Sequence, residues 1–226
     1  METIDGILTE LDDKISQKHL LKHTFYQAWS RGELSSACLK DYAGQYYAHV
    51  KAFPGYLAAL LSHTEEMQTS KELLQNLVEE LGGSPNHPEL WKSFAMHLGA
   101  NENSLSHAPV SEEMHQLIQT FQQICREESV AQGLAALYAY ESQIPLICIS
   151  KIEGLKNFYG MQDPEQWRYF SVHIAADEEH ARVERKLLAH HLELTQSQNV
   201  LGAAERVLDA LWNFLTHLCH KHKIAC

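Results

Sequence analysis

Apolar residues recur every three to four positions along almost the whole chain, the period of helices with one face in a core. Ile4, Ile7, Leu8, Leu11 and Ile15 form the first such stripe. The pattern predicts a second helix over about 19–31, stopped near Gly32, and a third over about 35–52, ended or bent at Pro54. Helices near 55–66 and 69–81 follow, the latter stopping at Gly82-Gly83. Pro88 suits the first turn of a helix ending near Gly99, and 100–110 reads as a loop before Ser-Glu-Glu-Met opens another helix at 111. One helix is expected over about 129–158 with Pro145 inside it, where proline removes the hydrogen bond to the carbonyl of residue 141. Asp163-Pro164-Glu165 joins a cap, a first-turn proline and an acid at the positive helix end, and starts a helix to about 193. A last helix covers about 198–220, and no segment carries a convincing strand period or repeat. The expected fold class is all-α: a compact up-and-down bundle of about seven or more helices. It forms one domain over 1–226, with 217–226 as a flexible tail.

Charge narrows the partners. Eighteen Lys and Arg against 29 Asp and Glu leave −11, which argues against a nucleic-acid backbone or an anionic membrane surface. The apolar run at 144–149 falls far short of the roughly 20 residues a membrane span needs. The acidic start METIDGILTELDD has neither the basic nor the apolar region of a secretory signal. Five cysteines without a CxxC pair then read as reduced thiols, so the expected location is cytoplasmic. Fifteen histidines are the compositional anomaly, and they raise the prospect of metal or proton chemistry.

Six side chains of metal-ligating type stand out. His173, Asp177 and His180 in HIAADEEH share one face of a helix. Glu80 and His87 are seven residues apart in ELGGSPNH, with Gly82, Gly83 and Pro85 interrupting their helix. Glu141 sits in the apolar run GLAALYAYESQIPLICI, where an unpartnered carboxylate would be costly. Three carboxylates and three imidazoles can hold two metal ions, as Glu and Glu-x-x-His units do in carboxylate-bridged four-helix proteins. On residue patterns alone an exposed acidic run at 177–179 is an open alternative. Tyr26, beside Phe25 and Trp29, reads by default as a core tyrosine, and Lys151 as a solvent-facing lysine. Tyr42, Tyr46 and His49 on one helix face, Tyr140 beside Glu141, and Tyr169 one turn before His173 are candidate relays or simple core aromatics. His217, Cys219, His220, His222 and Cys226 read as a frayed tail that picks up metal adventitiously.

The segments KHLLKHTFYQAWSRGEL, YYAHVKAFPGYL, SPNHPELWKSF, AALYAYESQIP and the H-x3-D-x2-H helix resemble, in the same order, the family of the Chlamydia protein associating with death domains. That family belongs to the haem-oxygenase-like dimetal oxidases, with pyrroloquinoline quinone synthase and the TenA thiaminases as relatives. The resemblance implies that Glu80, His87, Glu141, His173, Asp177 and His180 bind two metals, Fe/Fe or Mn/Fe, which use O2 and an external reductant. It also implies that para-aminobenzoate for folate is made from the protein's own Tyr26, with Lys151 as nitrogen donor, in a single turnover. Alternative readings are a dimetal oxidase of a free small molecule and a non-catalytic binder of a host death-domain protein. A homodimer is expected from the exposed bundle faces.

Overall fold

A computed structural model of the protein describes residues 3–107 and 109–225. The described residues are helical with no strand. In chain order the α-helices are α1 (Ile4–Gln17), α2 (Thr24–Ser30), α3 (Ser36–Ser62), α4 (Met67–Gly82), α5 (His87–His97) and α6 (Glu102–His107). They continue as α7 (Glu112–Glu127), α8 (Val130–Glu141), α9 (Ile144–Phe158), α10 (Arg168–His191) and α11 (Ser197–His222). No helix among the described residues is long and apolar enough to cross a membrane.

Several starts follow from side-chain caps, whereas the helix expected at 19–31 is a 3-10 turn followed by α2, and Asp163-Pro164-Glu165 opens a 3-10 turn before α10 begins at Arg168. Thr3, Ser35, Asn86, Ser111 and Ser129 each accept a first-turn backbone N–H, and Asn86 with Glu89 completes a reciprocal box. Four further expectations are corrected. Pro54 does not end its helix: α3 runs through it to Ser62, because Phe53, Pro54, Tyr56, Leu57 and Leu60 are all buried and tertiary packing outweighs one lost hydrogen bond. The loop at 100–110 contains α6, capped by the Asn101 side chain accepting from the Ser104 N–H at 2.7 Å. The long helix at 129–158 is two helices, broken after Glu141, with Pro145 in the first turn of α9 rather than in a helix interior. The tail is helical through His222, since Leu218 and Cys219 are buried and His222 Nε2 pairs with Asp41 at 2.7 Å. Cys226 lies outside the described residues.

Helix α8 is buried on every side from Gly133 to Glu141, packed between α10 and α11. Its small residues Gly133, Ala135, Ala136 and Ala139 permit that depth. Helices α3 and α5 pack on each other, and α4 and α5 both meet α10. Ends of α4, α5 and α8 thereby converge on the middle of α10. Helix α9 approaches α2 closely at Gly154, where a Cβ would lie 2.6 Å from the Trp29 ring. Any larger residue there would push Lys151 away from the core, because Trp29 Nε1 donates to the Lys151 carbonyl at 3.3 Å.

Candidate metal centre

Four helices bring the six candidate ligands into two adjoining triads, all six buried. Glu80, His87 and His173 form one triad, and Glu141, Asp177 and His180 the other. Within each, one ligand atom per residue lies within 4.8 Å of the others. Glu80 is near the end of α4 and His87 opens α5, so the interruption at Gly82-Gly83 turns the chain back and faces the two residues. His87 Nδ1 is 2.9 Å from Glu80 Oε1, and the His87 and His173 rings are 4.2 Å apart. Glu141 is the last residue of α8, held there by Asn76 Nδ2, which donates to its two oxygens at 3.2 and 3.5 Å.

The imidazoles are oriented for cation binding. The Tyr169 carbonyl 2.7 Å from His173 Nδ1 can only accept, so Nδ1 carries the hydrogen and Nε2 keeps its lone pair. Glu79 does the same for His180, accepting from Nε2 at 2.8 Å. His180 Nδ1 then faces Glu141 Oε1 at 3.2 Å and Asp177 Oδ1 at 3.5 Å. No hydrogen bond satisfies the Nδ1 atoms of His87 or His180, both fully buried. Lone pairs of nitrogen and carboxylate oxygen that point at one another across a small gap repel unless a cation lies between them. The donor set of oxygens and imidazole nitrogens therefore fits iron or manganese.

The electrostatics of these side chains point the same way. Burial opposes charge on His180, but the Asp177 and Glu141 carboxylates outweigh it and raise the imidazole to about 11. Burial raises Asp177 to about 7. Burial and the neighbouring His87 push His173 well down, keeping it neutral. Burial raises Glu141, but hydrogen bonding from Glu184, His180 and Asn76 more than offsets it and keeps the carboxyl ionised.

A second buried cluster adjoins the first. Lys151 is not solvent-facing: it is 4% exposed, and its Nζ donates to Tyr42 Oη at 2.6 Å. The amine stands 5.3 Å from the Tyr26 ring centre and 4.9 Å from that of Phe170. Burial lowers it to about 7. Tyr26, also buried, shares a hydrogen bond of 3.1 Å with Tyr42. The Tyr42 and Tyr46 rings are 5.4 Å apart, and Tyr46 meets Tyr140 hydroxyl to hydroxyl at 2.9 Å. Tyr140 lines a cavity with Glu80, Glu141, Tyr169, His173 and Asp177. On another side, Trp91 lies 5.0 Å from Tyr46 and 4.8 Å from Tyr169, which stacks on His173 at 3.9 Å. His49 packs against Tyr140 at 5.1 Å. Among the described residues the C-terminal histidines form no metal-binding group: His217 pairs with Glu113, whereas His222 pairs with Asp41.

Sequence reasoning missed Asn76, Glu79, Trp91 and Glu184. Asn76 precedes Glu80 by one turn and Glu184 follows His180 by one turn, so helical spacing could have found both. Glu79 gave no such signal, because it acts across to another helix. Glu79→Ala should weaken metal binding at the His180 half-site about 10–100-fold, read by competition with a chromophoric chelator, since an imidazole without its carboxylate partner loses orientation and basicity. Unchanged affinity would remove Glu79 from the site.

The sequence profile of a family described as iron-containing redox enzymes matches residues 40–212. The chain is 43% identical over 224 residues to a 4-aminobenzoate synthase of Chlamydia muridarum, covering 96% of this chain and 94% of that protein. It is 42% identical over 216 residues to a 4-aminobenzoate synthase of Nitrosomonas europaea, covering 91% and 88%. A solved domain with a haem oxygenase-like fold from Shewanella denitrificans superposes with TM-score 0.82 at 16% identity, over 96% of this chain and 93% of that one. The chain belongs to the haem-oxygenase-like family of iron-containing redox enzymes.

Proposed function

We propose that this iron-containing redox enzyme makes 4-aminobenzoate from its own Tyr26, in one O2-dependent turnover at a dimetal centre, as a step toward folate. Glu80, His87 and His173 would hold one ion, and Glu141, Asp177 and His180 the other. Bound there, the metal pair would activate O2 as the oxidant, with electrons from an external reductant. Everything else falls to the chain. The product is a benzene ring with carbon and nitrogen substituents para to each other. A tyrosine side chain already has carbon and oxygen in that relation. Its Cβ would be oxidised by O2 to the carboxylate carbon as the bond to Cα breaks. The Lys151 nitrogen would replace the phenol oxygen, which leaves as water, while the lysine Cε–Nζ bond breaks with Cε oxidised to an aldehyde. Lys151 is the amine beside that ring, and near pH 7 a substantial fraction is neutral, with a free lone pair. Tyr42 Oη lies within hydrogen-bond reach of both Tyr26 Oη and Lys151 Nζ, so with the neutral amine accepting from Tyr42 the phenol proton would have a route to it. Tyr140, Tyr46 and Tyr42 would carry the oxidising equivalent from the centre to Tyr26.

The observation that carries this reading is proximity. Tyr26 and Lys151 are both buried, with the amine 5.3 Å from the ring centre, and Tyr42, Tyr46 and Tyr140 link them to the cavity lined by Glu80, Glu141, His173 and Asp177. Binding of a host death-domain protein gains no comparable support from a buried site. The test is mass spectrometry of the full chain after aerobic reaction with iron, manganese and reductant. Loss of the Tyr26 side chain in step with 4-aminobenzoate formation is expected. An intact Tyr26 alongside product, or many turnovers per chain, would transfer the reaction to a free substrate.

A further inference from the structure

Glu184 has no part in the proposed reaction beyond its contact with Glu141, yet burial makes its carboxylate costly. It is 3% exposed on α10, and neither carboxylate oxygen receives a hydrogen bond from any N–H or O–H donor. Its carboxyl stands against that of Glu141. It also lines a small cavity with Asn76 and His180. A leucine or methionine would fill the same volume without the desolvation cost, so packing does not account for an acid here.

Charge does. Two divalent ions bring +4, and the carboxylates of Glu80, Glu141 and Asp177 bring −3, the three imidazoles being neutral ligands. The buried centre would carry an uncompensated +1, which is unfavourable where water is excluded. A fourth carboxylate brings it to zero, the same complement of four that carboxylate-bridged four-helix dimetal proteins use. Glu184 continues the stripe of His173, Asp177 and His180 by one further turn, on the face of α10 that the centre occupies. We propose that Glu184 is a seventh ligand, the fourth carboxylate of the centre. It binds the ion held by Glu141, Asp177 and His180 and makes that half-site oxygen-rich. The proposal rests on the reading of the six residues as a dimetal site.

Anaerobic titration of the full chain with Mn2+ against a competing chelator tests it, using wild type and Glu184→Gln. Glutamine has the shape of a protonated glutamate and preserves the packing while removing the charge. The wild type should bind two ions, and the variant should bind the first equally and the second at least tenfold more weakly. Equal affinity for the second ion in the variant would overturn the proposal. Independently of the variant's folding, anomalous scattering from Mn2+-loaded wild type should place a Glu184 oxygen about 2.2 Å from one ion. Two bound ions with Glu184 coordinated to neither overturns the proposal alone. A wild type that binds no ions at these residues overturns the six-ligand reading, and the proposal with it.

Discussion

Replacing Lys151 with methionine should yield a protein that is more stable than the wild type and makes no 4-aminobenzoate. The lysine is buried among the rings of Tyr26, Trp29, Tyr42, Tyr46, Trp91 and Phe170, with one hydroxyl as hydrogen-bond partner and no carboxylate paired to it among the described residues. Its amine falls from 10.5 to about 7 because burial penalises the charge. The unfolded chain therefore binds more protons than the folded one between those values, and stability rises with pH across that window. The penalty is fully present below pH 7 and gone above 10.5. Each unit of the shift costs ~1.4 kcal/mol, so relief of even part of it amounts to a few kcal/mol. Methionine fills similar space without charge. At neutral pH its melting temperature should rise by about 5 °C or more, and the gain should vanish as pH approaches 10. Product formation by the wild type should climb as pH rises through about 7, as the amine becomes neutral. Thermal melts at several pH values and chromatographic assay of 4-aminobenzoate decide the matter. A methionine variant that is less stable at pH 7 would make the lysine a structural residue.

Metal loading should raise the melting temperature of the wild type by about 5–10 °C per ion when each ion is at 100 times its dissociation constant. The gain should be smaller at low pH. His180 holds a proton where the ion must bind, and raising pH removes that competition. Glu141→Ala should remove most of the gain and all product. The substitution takes away the carboxylate that faces His180 Nδ1 and leaves Asn76 without its acceptor. Differential scanning fluorimetry with and without Mn2+ and Fe2+, beside metal analysis of the purified proteins, reads both effects. A full metal-induced shift in Glu141→Ala would exclude Glu141 as a ligand.

The candidate-ligand stripe on α10 was legible because three residues at positions 173, 177 and 180 share a face whatever surrounds the helix. Glu141 was legible by contrast, an acid in an apolar run. The corrected elements share another cause. Pro54 and Pro145 look alike in sequence, yet one lies within a continuous helix and the other opens a new one. Neighbouring packing sets that outcome, and a local pattern does not contain it. Lys151 is the sharpest case. Ten residues beyond Glu141, it reads as a surface lysine, and the break after Glu141 together with the close approach at Gly154 turns it inward.

The sequence alone determined the helical class, most helix starts and the identities of the six candidate ligands, because period, capping chemistry and residue type are local properties. Tertiary structure decided which triad each candidate ligand joins and which ring nitrogen faces the other members of its triad. It also set Lys151 against Tyr26 and left Glu184 without a donor. Those are distances between residues far apart in the chain, and only the close packing of α4, α5, α8, α9 and α10 sets them.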